Sequence, residues 1–181
     1  MRLPTRLLQR RPDSHKGDFG DIFILAGSPE FSGAAVLASE AALRSGCGLV
    51  TMGIPRGINN AVIKIKPLEV MTMPLPQSRS GSIILAAYKK IKHSLDKKDV
   101  LLVGPGLGSG RSTQALARKV IGSFDKPLVI DADGLNALAG FPLKLKQAAK
   151  KARELVVTPH PGEMARLSGL SIAKVQAKRK E

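Results

Sequence analysis

The sequence predicts a three-layer α/β domain with a mainly parallel sheet, and three observations carry that expectation. Short, wholly apolar runs recur along the chain, as at 22–26, 100–103 and 128–130. Each is followed by a longer segment with apolar residues at helical spacing; such alternation needs crossover connections, hence parallel strands with helices on both faces. The third observation is size. A chain of 181 residues with 43% hydrophobic side chains can close one sizeable core despite a formal net charge of +15.

The elements follow in order after a basic amino-terminal segment, 1–14. Residues 22–26 read as a strand and 33–44, rich in Ala and Leu, as a helix capped at its end by Gly46. A second strand is expected at 48–52, a helix at 58–66 stopped by Pro67, and a third strand at 68–73. Beyond the Pro and Ser punctuation of 74–82, residues 83–93 alternate apolar and basic positions at helical period, before a strand at 100–103. The same beat then gives a helix at 112–121, a strand at 128–130, a short helix at 135–139, a strand at 155–157 and a helix near Glu163. The Lys-rich segments 144–153 and 174–180 also read as helical, and the final KVQAKRKE belongs to an amphipathic helix with no closing strand after it. Strands of such uniform apolarity are expected to be covered on both faces.

Composition narrows the function. With one cysteine, Cys47, no intramolecular disulfide can form and a reducing, cytoplasmic setting is expected. No apolar run approaches ~18 residues, so no membrane partner is expected. The 29 Lys and Arg raise the prospect of a basic domain that binds nucleic acid or protein. Their spread over helical segments, the absence of Trp and the single Tyr88 favour instead a solvated basic surface or attraction for an anionic small ligand.

In an open parallel sheet, ligands bind beyond the carboxyl ends of the strands. Four strand-to-helix junctions carry suitable residues. After 22–26, Gly27-Ser28 leads to Ser32-Gly33-Ala34-Ala35, where small side chains either bare backbone amides for an anion or let helix and sheet pack closely. His15-Lys16-Gly17, just before this strand, is expected over the same opening. After 100–103 comes Gly104-Pro105-Gly106-Leu107-Gly108, a turn needing positive φ; it is neither a Walker A loop nor GxGxxG. After 128–130, Asp131 and Asp133 can hold a cation or accept from a hydroxyl, as can Asn136, although Asp133 alone reads first as an N-cap. After 155–157, Pro159 and Pro161 frame His160 as a ligand-contacting imidazole, while Glu163 falls in a first helical turn. Cys47, between two glycines, reads as a packed small residue, and His93 as solvated.

Taken together and in this order, HKGDFGDIFILAG, GAAVLASEAALRSGCGLVT, VGPGLG, VIDADGLNAL and VVTPHPGE resemble the ADP- or ATP-dependent NAD(P)H-hydrate dehydratase family. The resemblance implies a ribokinase-like fold and a metabolite-repair lyase that returns hydrated NADH or NADPH to the reduced cofactor at the expense of ADP or ATP. Hydroxide is a poor leaving group, so phosphoryl transfer to the ring hydroxyl gives an ester that the ring nitrogen can expel as phosphate, with Mg²⁺ neutralising charge. By the same resemblance Ala34, Gly106 and His160 line the hydrate site, Asp133 and Asn136 lie nearby, and Glu163 helps hold the metal's water shell. A homo-oligomer and an NAD(P)H-hydrate epimerase are the implied protein partners.

The sequence departs from the family pattern in one respect. The Lys-Gly segment that contacts the nucleotide and the Gly-x-Gly-Asp motif that supplies the anion hole and the base do not occur in the 181 residues. Residues 15–181 are therefore expected to be the amino-terminal two thirds of one such domain, with no catalytic base of their own and little or no turnover alone. The nearest rival is a ribokinase-like kinase of a small alcohol, such as a vitamin precursor or sugar.

Overall fold

The computed structural model describes residues 10–178. Residues 1–9 of the basic segment 1–14 and the last two residues of the helix expected at 174–180 lie outside that range. The elements in order are β1 (Asp21–Leu25), α1 (Ser32–Arg44), β2 (Leu49–Pro55), α2 (Asn59–Ile65), β3 (Met71–Leu75), α3 (Tyr88–Leu95), β4 (Val100–Val103), α4 (Arg111–Ser123), β5 (Leu128–Ile130), α5 (Asp133–Leu138), α6 (Pro142–Lys151), β6 (Leu155–Val157), α7 (Pro161–Ser168) and α8 (Ile172–Ala177). The six strands form one sheet in the order β3-β2-β1-β4-β5-β6, parallel throughout. This is the three-layer α/β architecture the sequence predicts.

Period-two alternation divides the core. Phe23, Leu25, Leu101, Val103, Leu128 and Ile130 point to one face, where Ile91 of α3, Leu116 and Val120 of α4, Leu135 of α5 and Ala148 of α6 close over them. Ile24, Val50, Met52 and Ile54 point to the other, against Ala35 of α1 and Val62 of α2. Those two helices pack on β1, β2 and β3. The expectation that every strand is covered on both faces therefore fails at β6, where Val156 and Val157 stand 52% and 37% exposed. No helix among the described residues is long and apolar enough to cross a membrane.

Several boundaries shift for local reasons. β2 runs on through Gly53 and Ile54 to Pro55, because Ile54 and Pro55 pair with Pro74 and Leu75. β3 starts at Met71, not 68: a turn from Pro67 to Val70 leaves Leu68 exposed, and an edge strand tolerates Pro74. The helices expected at 58–66 and 83–93 each begin as a 3₁₀ turn, Arg56–Ile58 and Leu85–Ala87, before α2 and α3. Gly46 closes α1 as expected, with its amide on the Leu43 carbonyl at φ 94°.

Part of the positive charge is structural. Lys126 Nζ donates to the Lys98 carbonyl at 2.6 Å just past α3, Lys151 Nζ to the Ser123 carbonyl at 3.0 Å at the end of α4, and Arg118 to the Ala137 carbonyl at 2.8 Å in α5. Helix ends leave carbonyls without intrahelical partners and carry partial negative charge, which cations satisfy. At the amino ends of the strands, Lys98 Nζ lies 2.8 Å from Asp21 Oδ1 and 3.0 Å from Thr51 Oγ1, with Lys98 only 7% exposed. This ion pair joins β1 and β2 to the chain entering β4.

Candidate functional site

The strand order reverses between β1 and β4, the position at which open parallel sheets bind ligands beyond the carboxyl ends of their strands. Backbone geometry closes the neighbouring loops onto one another there. Gly27 N–H donates to the Pro105 carbonyl at 2.9 Å, tying the loop after β1 to the loop after β4. Gly106 has φ +64°, and a methyl group on it would come within 2.6 Å of Phe31 Cβ and 3.0 Å of Ala34 Cβ. Only glycine lets the turn reach the first turn of α1, and so Ala34 and Gly106 meet. Gly104, at φ +135°, lies so close to the Asp131 carbonyl that a side chain would collide with it.

The contacts continue across the rim. Gly108 N–H donates to Asp133 Oδ2 at 2.8 Å, and Asn136 Nδ2 donates to Asp133 Oδ1 at 3.1 Å. Thr158 Oγ1 donates to Asp131 Oδ1 at 2.7 Å, linking the ends of β5 and β6. Asp131 thus accepts from a hydroxyl of the chain itself, whereas Asp133 accepts from a backbone amide and a side-chain amide. The expectation that Asp133 caps its helix is not met: it is the first residue of α5, Ala132 occupies the cap position, and the carboxylate faces the Gly108 amide instead. Ala132 has φ 47° and ψ −118°, a conformation that L residues with a Cβ rarely adopt, in a turn closed by Gly134 N–H on the Asp131 carbonyl at 2.9 Å.

His160 is the N-cap of α7. Its Nδ1 accepts from Gly162 N–H at 3.0 Å, while its Nε2 lies 3.0 Å from Glu163 Oε1; Glu163 Oε2 accepts from the His160 amide at 2.9 Å. This pattern assigns the neutral imidazole its Nε2–H tautomer. The imidazole remains 61% exposed, whereas the Glu163 side chain is 6% exposed. Glu163 is thus a capping-box residue, with one lone pair on each oxygen still open. Ser28, buried just past β1, holds its Oγ with no hydrogen-bond partner among the described residues.

The structure brings Ala34 against Gly106, joins Asp133 to Gly108 and Asn136, and sets His160 with Glu163 at the adjoining strand end. His15, Lys16 and Gly17 do not join them. They belong to a 3₁₀ turn packed on Gly48, at the amino end of β2, because Gly48 N–H bonds Phe19 and Gly20 carbonyls there. Cys47 lies at that end too, with Sγ 3.3 Å from the Gly20 carbonyl, and His93 is exposed on α3. Sequence reasoning missed Thr158, the Gly108 amide and Arg166, whose Nε donates to Asn136 Oδ1 at 2.8 Å. Arg166 had a readable signal: it follows Glu163 by three residues, which is one helical face. Among the described residues no three His, Cys, Asp or Glu side chains gather closely enough to hold a metal directly.

A family model for NAD(P)H-hydrate dehydratase matches residues 22–181. The bifunctional NAD(P)H-hydrate repair enzyme Nnr of Moorella thermoacetica is 40% identical over 177 residues, which is 98% of this chain and 33% of that protein. The ADP-dependent (S)-NAD(P)H-hydrate dehydratase of Neisseria meningitidis serogroup B is 36% identical over 189 residues, covering 99% of this chain and 56% of that one. Among solved structures, the ADP/ATP-dependent NAD(P)H-hydrate dehydratase of Bacillus subtilis co-crystallized with ATP/Mg²⁺ superposes with a TM-score of 0.68 at 29% identity, covering 94% and 55% of the two chains. A ribokinase-like superfamily protein of Enterococcus faecalis V583 gives 0.73 at 25% identity, over 94% and 57%. The chain thus spans between 33% and 57% of the length of these relatives.

Proposed function

Because the chain belongs to the NAD(P)H-hydrate dehydratase family, we propose that it forms the hydrate-binding side of a cleft in which hydrated NADH or NADPH is dehydrated at the expense of ADP or ATP. The observation that carries this reading is the direct contact of the Gly106 turn with Ala34 of α1, next to the Asp133–Gly108 bond, with His160 on the same edge of the sheet past the end of β6. A small-residue floor lets a flat ring approach the backbone, and an exposed imidazole fixed by its own cap presents a rigid wall. In this reading Ala34 and Gly106 are the floor, His160 is the wall, and Asp133 with Asn136 hold the turn in register. The Ser28 hydroxyl, without a partner among the described residues, supplies a polar group at the same strand ends.

The donor set fits Mg²⁺ in one role. A magnesium ion keeps several waters and takes phosphate oxygens, so a single carboxylate reached through water suffices, and the open lone pairs of Glu163 suit that contact. When bound, Mg²⁺ neutralises phosphate charge during phosphoryl transfer to the ring hydroxyl. The base that the family resemblance implies, in a Gly-x-Gly-Asp motif, is absent from these 181 residues, so this chain's own share is binding and orientation. Exposed Leu37, Ile63 and Leu68 support self-association, and an epimerase acting on the same hydrate is the fitting protein partner. A cytoplasmic setting, in which Cys47 stays a thiol, goes with this reading.

The test is turnover of hydrated NADH with ADP or ATP and Mg²⁺, followed by phosphate release and by return of the near-ultraviolet absorbance of reduced nicotinamide. The protein carrying this chain is expected to give both, and a His160→Ala variant of it neither. The 181-residue chain alone is expected to bind reduced NADPH while turning over feebly. A stable phosphorylated alcohol as the product would move the assignment to a small-alcohol kinase.

A further inference from the structure

Arg166 carries a charge that nothing described opposes. It sits on the last turn of α7, exposed, with Nε donating to Asn136 Oδ1 at 2.8 Å. Asn136 donates in turn to Asp133, whose second oxygen receives the Gly108 amide. A neutral amide is therefore interposed between the guanidinium and the nearest carboxylate on that path. Glu163, three residues before it, is turned to His160 with both oxygens. Among the described residues no carboxylate pairs with Arg166; Arg11 and Arg44 bond the carboxylates of Asp13 and Glu40, whereas Arg166 is held by the neutral Asn136 amide. The orientation is also defined: a methyl group on Gly162 would lie 3.8 Å from Arg166 Nη1 and 2.9 Å from His160 Cε1, so guanidinium and imidazole flank one point.

A guanidinium oriented by a neutral acceptor keeps its full charge and its Nη fork for an external anion, and the geometry of that fork matches the paired oxygens of a phosphate. We propose that Arg166 recognises a phosphate group of the ligand that enters beside His160, and that the Asn136 contact aims it. This deepens the hydrate-site reading above and rests on it for the location of the ligand. Two phosphate sources are compatible with the chemistry: the dinucleotide under repair and the phosphoryl donor.

The experiment is calorimetric titration of the 181-residue chain, wild type, Arg166→Gln and Arg166→Lys, with NADPH, ADP, inorganic pyrophosphate and, as the phosphate-free control, nicotinamide riboside in its uncharged reduced form, at low and high salt. Melting curves confirm that each variant folds. We expect Arg166→Gln to weaken NADPH by about tenfold or more and to lose most of the salt sensitivity, with Arg166→Lys between the two. Nicotinamide riboside should bind all three alike, which a merely structural role for Arg166 would not produce. Dependence on Arg166 for ADP or pyrophosphate but not NADPH upholds phosphate recognition while removing the dinucleotide as its source, and so counts against the hydrate-site reading alone. Equal affinity of wild type and Arg166→Gln for every phosphate ligand, equal weakening of nicotinamide riboside, or no phosphate-dependent binding to the wild type overturns the proposal.

Discussion

The two ends of the same parallel sheet use polar groups in opposite ways. At the amino ends, Lys98, Asp21 and Thr51 turn inward and satisfy one another, and Arg10 lies 3.8 Å over the Phe19 ring beside a cavity of about 870 Å³ that Gly46 and Cys47 also line. At the carboxyl ends, Asp131, Asp133 and Glu163 bond backbone amides and neighbouring hydroxyl or imidazole groups, leaving His160 and Arg166 facing out. The first end holds strands together. The second holds loops, and it holds them with glycine contacts and one strained residue, Ala132, as binding sites built on strand tips do.

That contrast can be broken, beginning at the stability end. Lys98→Ala leaves Asp21 and Thr51 without their partner and is expected to cost about 3 kcal/mol in denaturant unfolding, with ligand binding by the folded fraction unchanged. The double variant with Asp21→Asn should recover a good part of the loss; equal or greater destabilisation would show that the pair is not the clamp. Gly106→Ala forces a side chain at φ +64° into Phe31 and Ala34. It should cost about 2 kcal/mol and, unlike Lys98→Ala, should also weaken NADPH binding in a titration. Glu163→Ala removes half of the capping box, so about 1 kcal/mol of stability should go, together with the fixed imidazole tautomer seen in the nitrogen chemical shifts of His160. Smallest of all, Ala132→Gly releases the positive φ and should raise the melting temperature slightly, by less than about 1 kcal/mol of added stability. A drop instead would mean that the turn is not strained.

The fold was largely readable because short apolar runs and the helices between them are consequences of burial, which sequence records directly. What the pattern could not record was which neighbour covers a strand. β6 is as apolar as β5, yet Val156 is exposed, since coverage depends on where α1 and α2 lie. The extension of β2 to Pro55 likewise depends on its pairing with β3 across the edge. At the site, Gly104 and Gly106 announced a turn with positive φ, and both have it. Asp133 misled because a carboxylate before a helix looks like a cap by local rules, whereas the Gly108 amide that claims it is 25 residues away in sequence. Ala132 gave no warning: it lies in a turn closed by Gly134 N–H on the Asp131 carbonyl, against which Gly104 of a distant loop packs. His15 to Gly17 stand only a few residues before β1, and so short a connection holds them at the amino end of the strand, opposite the junctions after the strands.

The central claim is that the loops beyond β1, β4, β5 and β6 make one ligand-binding rim, and backbone amide NMR during titration with NADPH tests it most directly. The account predicts that shifts concentrate at Ala34, Gly106, Gly108, Asn136 and His160, while Gly20, Gly46 and Lys98 stay still. Shifts gathered instead around Arg10, Gly46 and Cys47, or scattered over both ends of the sheet, would contradict it.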